Sequence, residues 1–568
     1  MGLRWIALWI LGGVLWLHAG LLRDGGILGA PRSDVLRAAW GLSVPARALP
    51  DLPFWTDYVG FPVGVKVLFL PFVSSVLGSP LPLLLGPWLG YDVWILGLLW
   101  GSGVAVAWLA LEWTKSPAAG LLAGTWILAQ PMMFVAISDG TAEFVAFWSI
   151  PAALAAWHKG KTDLRWARLG AALTVVVALD SPYHAVFLAP FLPLVVWGMP
   201  RRQLLEGAAI GAVGALILGG LYYGLPLAAA DNANSNAVFL RIWKQWESGG
   251  TVRAWDWTLG AGFIPVPLLA GALLLAALRP LRALPWVLLG ALMLIWSLGK
   301  IPENSALLSQ WFGQAGTTFG DVVDFVNTRL VPPVVRFPRR WLVPVAFALG
   351  MGAAIGLTRL PKEWMRLVVA VPASAFALYW AAKVTGYRDG LPRYDPPAPA
   401  FVAFVRDHPT DGATLALPRV RAAKTSHMRD DLPVFASLSR DLASADQVFL
   451  QIATGRATAY APQGMRTVTA RYGYGESLGR LLHDLDDLAN PGMVGAPIPP
   501  SATQEPARRA TAASALVDAG LGFVIIDEAL YGPEGLEYAA APFAGRLIER
   551  RHFDDGTGVT VLVVGREP

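Results

Sequence analysis

The chain falls into two parts that differ in how their charged residues are spaced. Residues 1–385 are a series of apolar runs of about membrane-spanning length, separated by short connectors, whereas residues 386–568 have the mixed pattern of a water-soluble domain. An apolar run of about 20 residues crosses the roughly 30 Å hydrocarbon core as a helix, which satisfies its own backbone hydrogen bonds. The pattern therefore predicts an α-helical polytopic membrane protein with a C-terminal soluble domain.

About eleven apolar runs in the first part are predicted to be transmembrane helices. They lie near residues 3–20, 92–113, 117–136, 143–157, 167–179, 184–199, 206–226, 260–278, 284–298, 341–358 and 367–385. The first run also has the composition of a secretory signal peptide. A retained helix is the simpler interpretation, because so many spans follow it.

The segment 65–86 is apolar but ambiguous, because Pro71, Pro80 and Pro82 interrupt it. It is predicted to form a re-entrant or interfacial helix. The alternative is a full crossing, which would place the N-terminus outside and loop 20–64 in the cytoplasm. That loop carries four arginines, so its charge does not exclude the alternative.

Lysine and arginine are concentrated in four connectors, at 158–168, 200–203, 279–282 and 358–366. The connectors 137–142 and 180–183, which alternate with them, carry little positive charge. Because basic loops stay in the cytoplasm, this alternation predicts a multi-pass protein with a cytoplasmic N-terminus. The extracytoplasmic side is then predicted to hold loop 20–64, loop 137–142, the long connectors 227–259 and 299–340, and the C-terminal domain.

Residues 386–568 are predicted to form an α/β domain. Short apolar runs bounded by turn residues indicate buried strands at 414–418, 523–528 and 559–564. Residues 511–520 are typical of a helix that ends at Gly520. Residues 489–506 are rich in proline, glycine and serine, which indicates a loop.

Composition agrees with a membrane protein and excludes several functional classes. Hydrophobic residues make up 55% of the chain and charged residues only 15%, against about 25% in soluble proteins. The net charge of +5 comes from short connectors, so it does not indicate nucleic-acid binding. The chain has no cysteine, which excludes disulfides, a thiolate nucleophile and cysteine-based metal sites.

Asp34 is the first candidate for chemistry. It is predicted to lie in the first turn of a short amphipathic helix at 33–42 that is capped by Ser33. The helix dipole favours a carboxylate there, which is a purely structural role. The functional alternative is a general base or a metal ligand at the outer membrane face. Asp57, in the same loop, and Lys66, just after it, are secondary candidates.

A second candidate is the acidic pair Asp139 and Glu143. The two residues are four positions apart, so they share a face if a helix begins at Ser138. Carboxylates between apolar spans usually face a cavity, because exposure to lipid is costly. The alternative is that both lie in headgroup water. Asp180 and His184, between two later spans, are secondary candidates, although a single histidine at a helix end is more often an interfacial residue.

Three arginines contradict the expected charge distribution. Arg336, Arg339 and Arg340 precede a span on its predicted outer side, where basic residues are scarce. Guanidinium groups bind phosphate through paired hydrogen bonds, so this cluster indicates a phosphate held at the outer interface. The alternatives are contacts with lipid headgroups or with loop carboxylates.

The order of these segments resembles that of bacterial GT-C-type membrane glycosyltransferases, including those like glycosyltransferase family 39. SDVLRAAWGL (33–42) and LPFWTDYVGFPVG (52–64) look like the first outer loop of that group. Later segments are similar to its following helices, second outer loop, later landmarks and soluble domain: residues 79–94, 118–131, 139–154, 297–300, 336–341 and 451–465. The first loop has a single acid, not the paired acids of the protein mannosyltransferases.

This resemblance implies an enzyme of the bacterial inner membrane that transfers a sugar, with inversion, from a polyprenyl-phosphate-linked donor. Asp34 matches the acidic position of the first loop and would act as the general base on the acceptor or orient it. Asp139 and Glu143 match the second acidic region and would contact the acceptor or hold a divalent cation, Mg or Mn. The three arginines would neutralise the departing lipid phosphate. The acceptor is a glycan, a lipid or a protein.

Two other functions fit a polytopic chain. A transporter or flippase would place polar residues near the middle of the membrane and often shows inverted repeats, and neither feature is evident here. A non-catalytic scaffold would only display the C-terminal domain. Replacing acids by amides separates these functions, because only an enzyme depends on the carboxylates.

Overall fold

The computed structural model describes residues 2–18, 26–29, 35–49, 56, 58, 61, 71–219, 266–297, 313–314, 338–383, 393–394, 398–417, 449–458, 506–554 and 558–565. The first part of the chain is helical, as its apolar runs predict. Its helices are α1 Leu3–Leu17, α2 Val35–Ala48, α3 Phe72–Gly78, α4 Pro80–Leu85, α5 Pro87–Thr114, α6 Pro117–Leu128, α7 Pro131–Ser138, α8 Ala142–Val145, α9 Ser149–Lys159, α10 Leu164–Asp180, α11 Pro182–Leu188, α12 Leu192–Val196, α13 Arg201–Gly219, α14 Val266–Ala277, α15 Pro280–Ser297, α16 Leu342–Leu357 and α17 Glu363–Lys383.

Every predicted span coincides with helical structure, but the helices differ in length. Within the described ranges, α5, α15 and α17 are long and apolar enough to cross a membrane. Helices α6 and α7 together form a fourth candidate span, bent by 43°. The remaining helices are shorter, less apolar or divided. The membrane-embedded part is thus built from both straight and broken helices.

Three predicted spans are wrong as continuous helices. The span at 143–157 is divided into α8 and α9, the span at 184–199 into α11 and α12, and the span at 117–136 into α6 and α7. Pro151 follows the first break, and Pro190 lies in the second. Proline lacks the N–H that would continue the hydrogen-bond ladder, which accounts for helices that end and restart.

The ambiguous segment 65–86 contains two short helices, α3 and α4, over the part that the structure describes. Residues 72–85 form about 21 Å of helix at 1.5 Å per residue, which is short of the hydrocarbon core. Helix α3 packs against α2 and α10, and α4 packs against α5. These residues therefore lie against the helical bundle as two short helices.

The basic connectors meet at one end of the bundle, as the charge pattern predicts. Glu112, near the end of α5, pairs with Lys159 in connector 158–168 at 3.0 Å. Glu206 on α13 pairs with Arg168 of the same connector at 2.7 Å and with Arg202 of connector 200–203 at 3.1 Å. Two of the four basic connectors are thus joined directly by ion pairs.

The other two basic connectors lie at this same end. The hydroxyl of Ser116, which follows α5, donates to Glu363 at the start of α17, 2.9–3.0 Å from its oxygens. Arg279, between α14 and α15, lies within electrostatic reach of Arg359, before α17, and of Arg366, in the first turn of α17. We refer to this end of the bundle as the basic end.

The C-terminal domain has the predicted α/β architecture. Its helices are α18 Ala400–Asp407, α19 Pro506–Ala519 and α20 Glu528–Ala540, and its strands are β3 Ala413–Leu417, β4 Leu521–Asp527, β5 Leu547–Phe553 and β6 Val559–Val564. The strand order is β3-β4-β6-β5, with β3 parallel to β4 and the other pairs antiparallel. Leu415 lies opposite Val524, and Ile525 opposite Val561.

The three buried strands were predicted and the edge strand was not. Strand β5 has the sequence LIERRHF and is largely exposed. Charged side chains are a common protection of edge strands, but they also remove the apolar signal by which a strand is recognised. Helix α19 ends before Gly520, which adopts φ +114°, as the predicted glycine C-cap requires.

The first loop lies on the same side as the C-terminal domain and is clamped by it. A short pair of strands, β1 Ile27–Leu28 and β2 Arg393–Tyr394, joins the loop to the chain that follows α17. The indole N–H of Trp40 on α2 donates to Gln451 Oε1 at 2.6 Å. The amide of Gln451 donates to the carbonyl of Tyr58 at 2.5 Å.

Helix α2 was predicted as a short amphipathic helix at 33–42, and this prediction is partly wrong. The helix extends to Ala48 and is buried on nearly every side, with Arg37 and Arg47 exposed. The C-terminal segment 449–458 contacts this helix through the bond from Trp40 to Gln451. A local pattern does not reveal burial by a segment 400 positions away.

Candidate active site

The candidate site lies opposite the basic end, where three loops of the bundle meet beneath the C-terminal domain. The second outer loop supplies Asp139 and Glu143, both half-buried. Asp139 caps the C-terminus of α7, and Glu143 lies in the first turn of α8. The expectation that both acids lie on one helix beginning at Ser138 is therefore wrong.

A glycine turn separates the two acids. Gly140 has φ +70°, and it donates its N–H to Ile137 O at 3.2 Å. Thr141 donates to Ala136 O at 2.9 Å. These two bonds form a Schellman motif, in which a left-handed residue ends a helix and satisfies its last carbonyls. Asp139 and Glu143 therefore lie on either side of a turn, and the conformation of Gly140 sets the distance between them.

The first outer loop reaches this turn. Gly29 has φ +135°, and a Cβ at this position would lie 3.2 Å from the backbone oxygen of Ile137 and would overlap the side chain of Val35. Only glycine permits this close approach. Val35 is the residue next to Asp34 and begins α2. Gly29 thus lies against both the first residue of α2 and the residue two positions before Asp139.

Arg340 reaches the same place from the opposite direction. It lies in the 3₁₀ turn Pro338–Trp341 before α16. Its guanidinium carbon lies 4.7 Å from the ring centroid of Phe144 and 4.4 Å from that of Tyr183. Stacking on aromatic rings favours a guanidinium and keeps it planar and oriented. The residue beside Glu143 therefore positions the arginine.

The next residue, Trp341, anchors this arginine in the bundle. Its side chain is fully buried, with ring centroids 4.8 Å from Phe187 and 4.6 Å from Trp296. Phe187 lies on α11 and Trp296 on α15, so three helices hold the turn. The position of Arg340 is consequently fixed by packing and not by an extended loop.

His184, a secondary candidate, lies in the same aromatic cluster. Its imidazole is fully buried, with ring centroids 6.3 Å from Phe147 and 6.4 Å from Phe187. The ring faces the backbone of Glu143. Within the described part of the chain, neither ring nitrogen has a hydrogen-bond partner of good geometry. The structure places His184 behind the acidic turn.

Asp180, the other secondary candidate in this region, serves the fold. Its carboxylate is fully buried and accepts from the backbone N–H of Ser74 at 2.8 Å and from the Ser74 hydroxyl at 2.9 Å. The indoles of Trp148 and Trp94 also donate to Ser74, at 2.9 and 3.0 Å. Asp180 thus binds the first turn of α3 to the end of α10, with both of its oxygens engaged.

Replacing Asp180 by alanine is expected to lower the free energy of unfolding by about 2–4 kcal/mol, because two buried donors of Ser74 lose their acceptor. Asp180→Asn keeps one acceptor oxygen and is expected to cost less. Thermal unfolding of the purified variants measures the difference. A catalytic carboxylate would behave differently, with activity lost equally in both variants at unchanged stability.

Asp92 is a buried acid that the sequence did not single out. It lies in the second turn of α5 and accepts from the N–H of Leu28 in β1 at 2.8 Å. Arg393 of β2 lies within electrostatic reach of this carboxylate. Asp92 therefore joins the bundle, the first loop and the chain leading to the C-terminal domain. In the sequence, Asp92 lies in an ordinary apolar run. The one indication of a special role is that acids are rare in such runs.

The remaining candidates lie partly or wholly outside the described residues. Asp34, Asp57, Lys66 and Arg336 are outside them, and of Arg339 only the backbone is described. Tyr58 lies in the first loop, where its backbone carbonyl accepts a hydrogen bond from the Gln451 side chain. Burial raises the pKa of its phenol, which therefore stays neutral. Among the described residues, no three His, Asp or Glu side chains are grouped to hold a metal ion.

Comparisons with known proteins give likenesses in fold. No family model matches the chain, and no curated protein matches it. Several solved structures are similar, among them the three that follow. The Archaeoglobus fulgidus oligosaccharyltransferase complexed with Zn and sulfate has 14% identity and a TM-score of 0.41, over 92% of this chain and 68% of that one. AglB from the same organism, solved with an inhibitory peptide and a dolichol-phosphate, has 13% identity and a TM-score of 0.41, over 99% and 74%.

The third is ArnT from Cupriavidus metallidurans bound to undecaprenyl phosphate, with 14% identity and a TM-score of 0.37 over the whole of both chains. All three are GT-C-type membrane transferases, the group that the sequence segments resemble.

Proposed function

We propose that this protein is an inverting membrane glycosyltransferase that uses a polyprenyl-phosphate-linked sugar. The observation that carries the proposal is the meeting of three loops at one end of the bundle. Gly29 of the first loop lies against both the start of α2 and the turn before Asp139, and Arg340 stacks on Phe144, next to Glu143. Carboxylates and an oriented guanidinium at a membrane boundary suit a reaction between a hydroxyl acceptor and a lipid phosphate.

In the proposed reaction, the acceptor oxygen attacks the anomeric carbon of the donor sugar from the face opposite the phosphate. The bond between the anomeric carbon and the phosphate oxygen breaks, and its electron pair leaves with the polyprenyl phosphate. Asp34 takes the proton of the acceptor hydroxyl. Arg340, together with Arg336 and Arg339, stabilises the charge that develops on the leaving phosphate.

Asp139 and Glu143 would orient the acceptor hydroxyl. The sequence also suggested that they hold Mg or Mn through oxygen ligands. Mg is commonly held by one or two carboxylates together with water and substrate phosphate, and the described residues add no third His, Asp or Glu beside this pair. The proposed reaction therefore includes no step that depends on a cation. The acceptor itself, whether glycan, lipid or protein, is not specified by these residues.

Product analysis tests the proposal directly. Purified protein in lipid nanodiscs is incubated with membrane extract and a polyprenyl phosphate carrying a radiolabelled sugar. A transferase releases polyprenyl phosphate and moves the label to a product that survives mild acid, because a glycosidic bond has formed. A flippase moves the donor across proteoliposome membranes with the label still on the lipid. A scaffold does neither, and either of these two outcomes would refute the proposal.

We also propose that the candidate site faces outward and the basic end faces the cytoplasm. Because the native chain lacks cysteine, single cysteines report their own accessibility. Ser138→Cys at the site and Asp411→Cys in the C-terminal domain are expected to react with a membrane-impermeant thiol reagent in intact spheroplasts. Thr162→Cys at the basic end is the matched control, expected to react only after the membrane is opened. The reverse pattern would contradict the proposed orientation.

A further inference from the structure

The basic end carries a cluster of guanidinium groups that comes from two connectors. Arg279 lies between α14 and α15 and Arg282 in the first turn of α15, while Arg359 lies between α16 and α17 and Arg366 in the first turn of α17. The connectors are adjacent because α14 and α16 pack closely at Gly356, where a Cβ would overlap the backbone of Leu275. Four positive charges are therefore gathered by tertiary packing and not by sequence alone.

Most of this charge is not neutralised within the described residues. Arg366 pairs with Glu363 at 2.9 Å and donates to the carbonyl of Leu360 at 2.8 Å, so it stabilises the connector. Arg279, Arg282 and Arg359 form no salt bridge in the described part of the chain. Burial and the neighbouring arginines lower the pKa of Arg279, as expected where like charges are held together.

The surface around the cluster is apolar. Leu278 and Leu281, on either side of Arg279, are 44% and 86% exposed, and Trp364 is 61% exposed. Exposed leucines next to a tryptophan and arginines are typical of the boundary between hydrocarbon and headgroups. Orientation in the membrane accounts for basic residues in each connector, but not for three unneutralised guanidinium groups drawn together beside a lipid-facing surface.

We propose that Arg279, Arg282 and Arg359 form a binding site for the phosphate headgroup of an anionic phospholipid, with its acyl chains along the exposed leucines. Guanidinium groups offer paired N–H donors to phosphate oxygens, and a bound anion offsets the repulsion among them. The site lies at the end of the bundle opposite Arg340, and it does not depend on the proposed sugar transfer.

Native mass spectrometry of the delipidated full chain tests this site, with phosphatidylglycerol titrated against phosphatidylcholine. The wild-type protein is expected to retain phosphatidylglycerol preferentially. Because each basic residue near anionic lipid contributes about 1 kcal/mol, or roughly five-fold in affinity, the double variant R282Q/R359Q is expected to bind roughly 25-fold more weakly. Both residues are exposed, so the variant should fold, which its thermal unfolding midpoint verifies.

Two comparisons separate this site from general electrostatics. R165Q/R201Q removes the same charge from other exposed positions at the basic end and is expected to retain the lipid. R282K/R359K keeps the charge but not the paired donors and is expected to bind with intermediate affinity. Excess inorganic phosphate should not displace the lipid. Equal loss in R165Q/R201Q, displacement by inorganic phosphate, or no preference in the wild type would each overturn the proposal.

Discussion

Arg340→Gln is expected to lower kcat/KM for the proposed sugar transfer by roughly 10²–10³-fold, the usual effect of removing one preorganised donor to a developing negative charge. The guanidinium is stacked on Phe144 and Tyr183, so it needs little reorganisation when charge develops on the leaving phosphate. Glutamine keeps similar length and polarity but carries neither the charge nor the paired donors. The measurement is the initial rate of label transfer at several donor concentrations.

Two variants control this experiment. Arg340→Lys keeps the charge but loses the planar group that stacks on both rings, so it is expected to recover only part of the activity. Arg165→Gln removes an exposed arginine at the basic end and is expected to transfer sugar at the wild-type rate. If Arg340→Gln keeps full activity and donor affinity, the phosphate role of this residue is wrong.

The helical architecture was predictable because lipid imposes a strong constraint on sequence. A helix is the only open structure that satisfies its backbone in the bilayer, so each apolar run coincides with helical structure. The breaks were harder to place. Pro190 indicates where α11 ends, but a bend such as that between α6 and α7 also depends on neighbouring helices.

The site was only partly predictable, because its residues come from distant parts of the chain. Asp139, Glu143 and Arg340 were identified from their type and from unexpected charge, and the structure places their segments together. The contact between Trp40 and Gln451 joins positions separated by 411 residues. A sequence pattern reports local periodicity, and it has no information about such pairs.

Local geometry accounts for the errors in the acidic residues. A spacing of four suggested one helix for Asp139 and Glu143, but Gly140 adopts a left-handed conformation and ends it. Asp180 was a candidate because it is an acid between two apolar runs, yet both of its carboxylate oxygens accept hydrogen bonds from Ser74. A buried carboxylate is therefore assigned to chemistry or to structure by its partners, which a single sequence does not show.

Contacts with distant segments also fix part of the first outer loop. Two contacts fix the start of α2: Gly29 packs against Ile137 and Val35, and Gln451 holds Trp40 one turn further along the helix. Val35, which follows Asp34 in the sequence, therefore begins a helix that other segments hold in place. Precise placement of a proton acceptor is what general base catalysis requires.

Asp34→Asn is therefore expected to reduce kcat by roughly 10²–10⁴-fold, because an amide cannot accept the proton of the acceptor hydroxyl. The amide has nearly the same shape, so the thermal unfolding midpoint and donor affinity should remain close to those of the wild type. Asp34→Glu, which retains a base at a shifted position, should keep part of the activity. A matched control is Asp411→Asn, an exposed acid of the C-terminal domain on the same side. Transfer at the wild-type rate by Asp34→Asn would assign this residue to the helix dipole alone, and the acceptor proton would need another base.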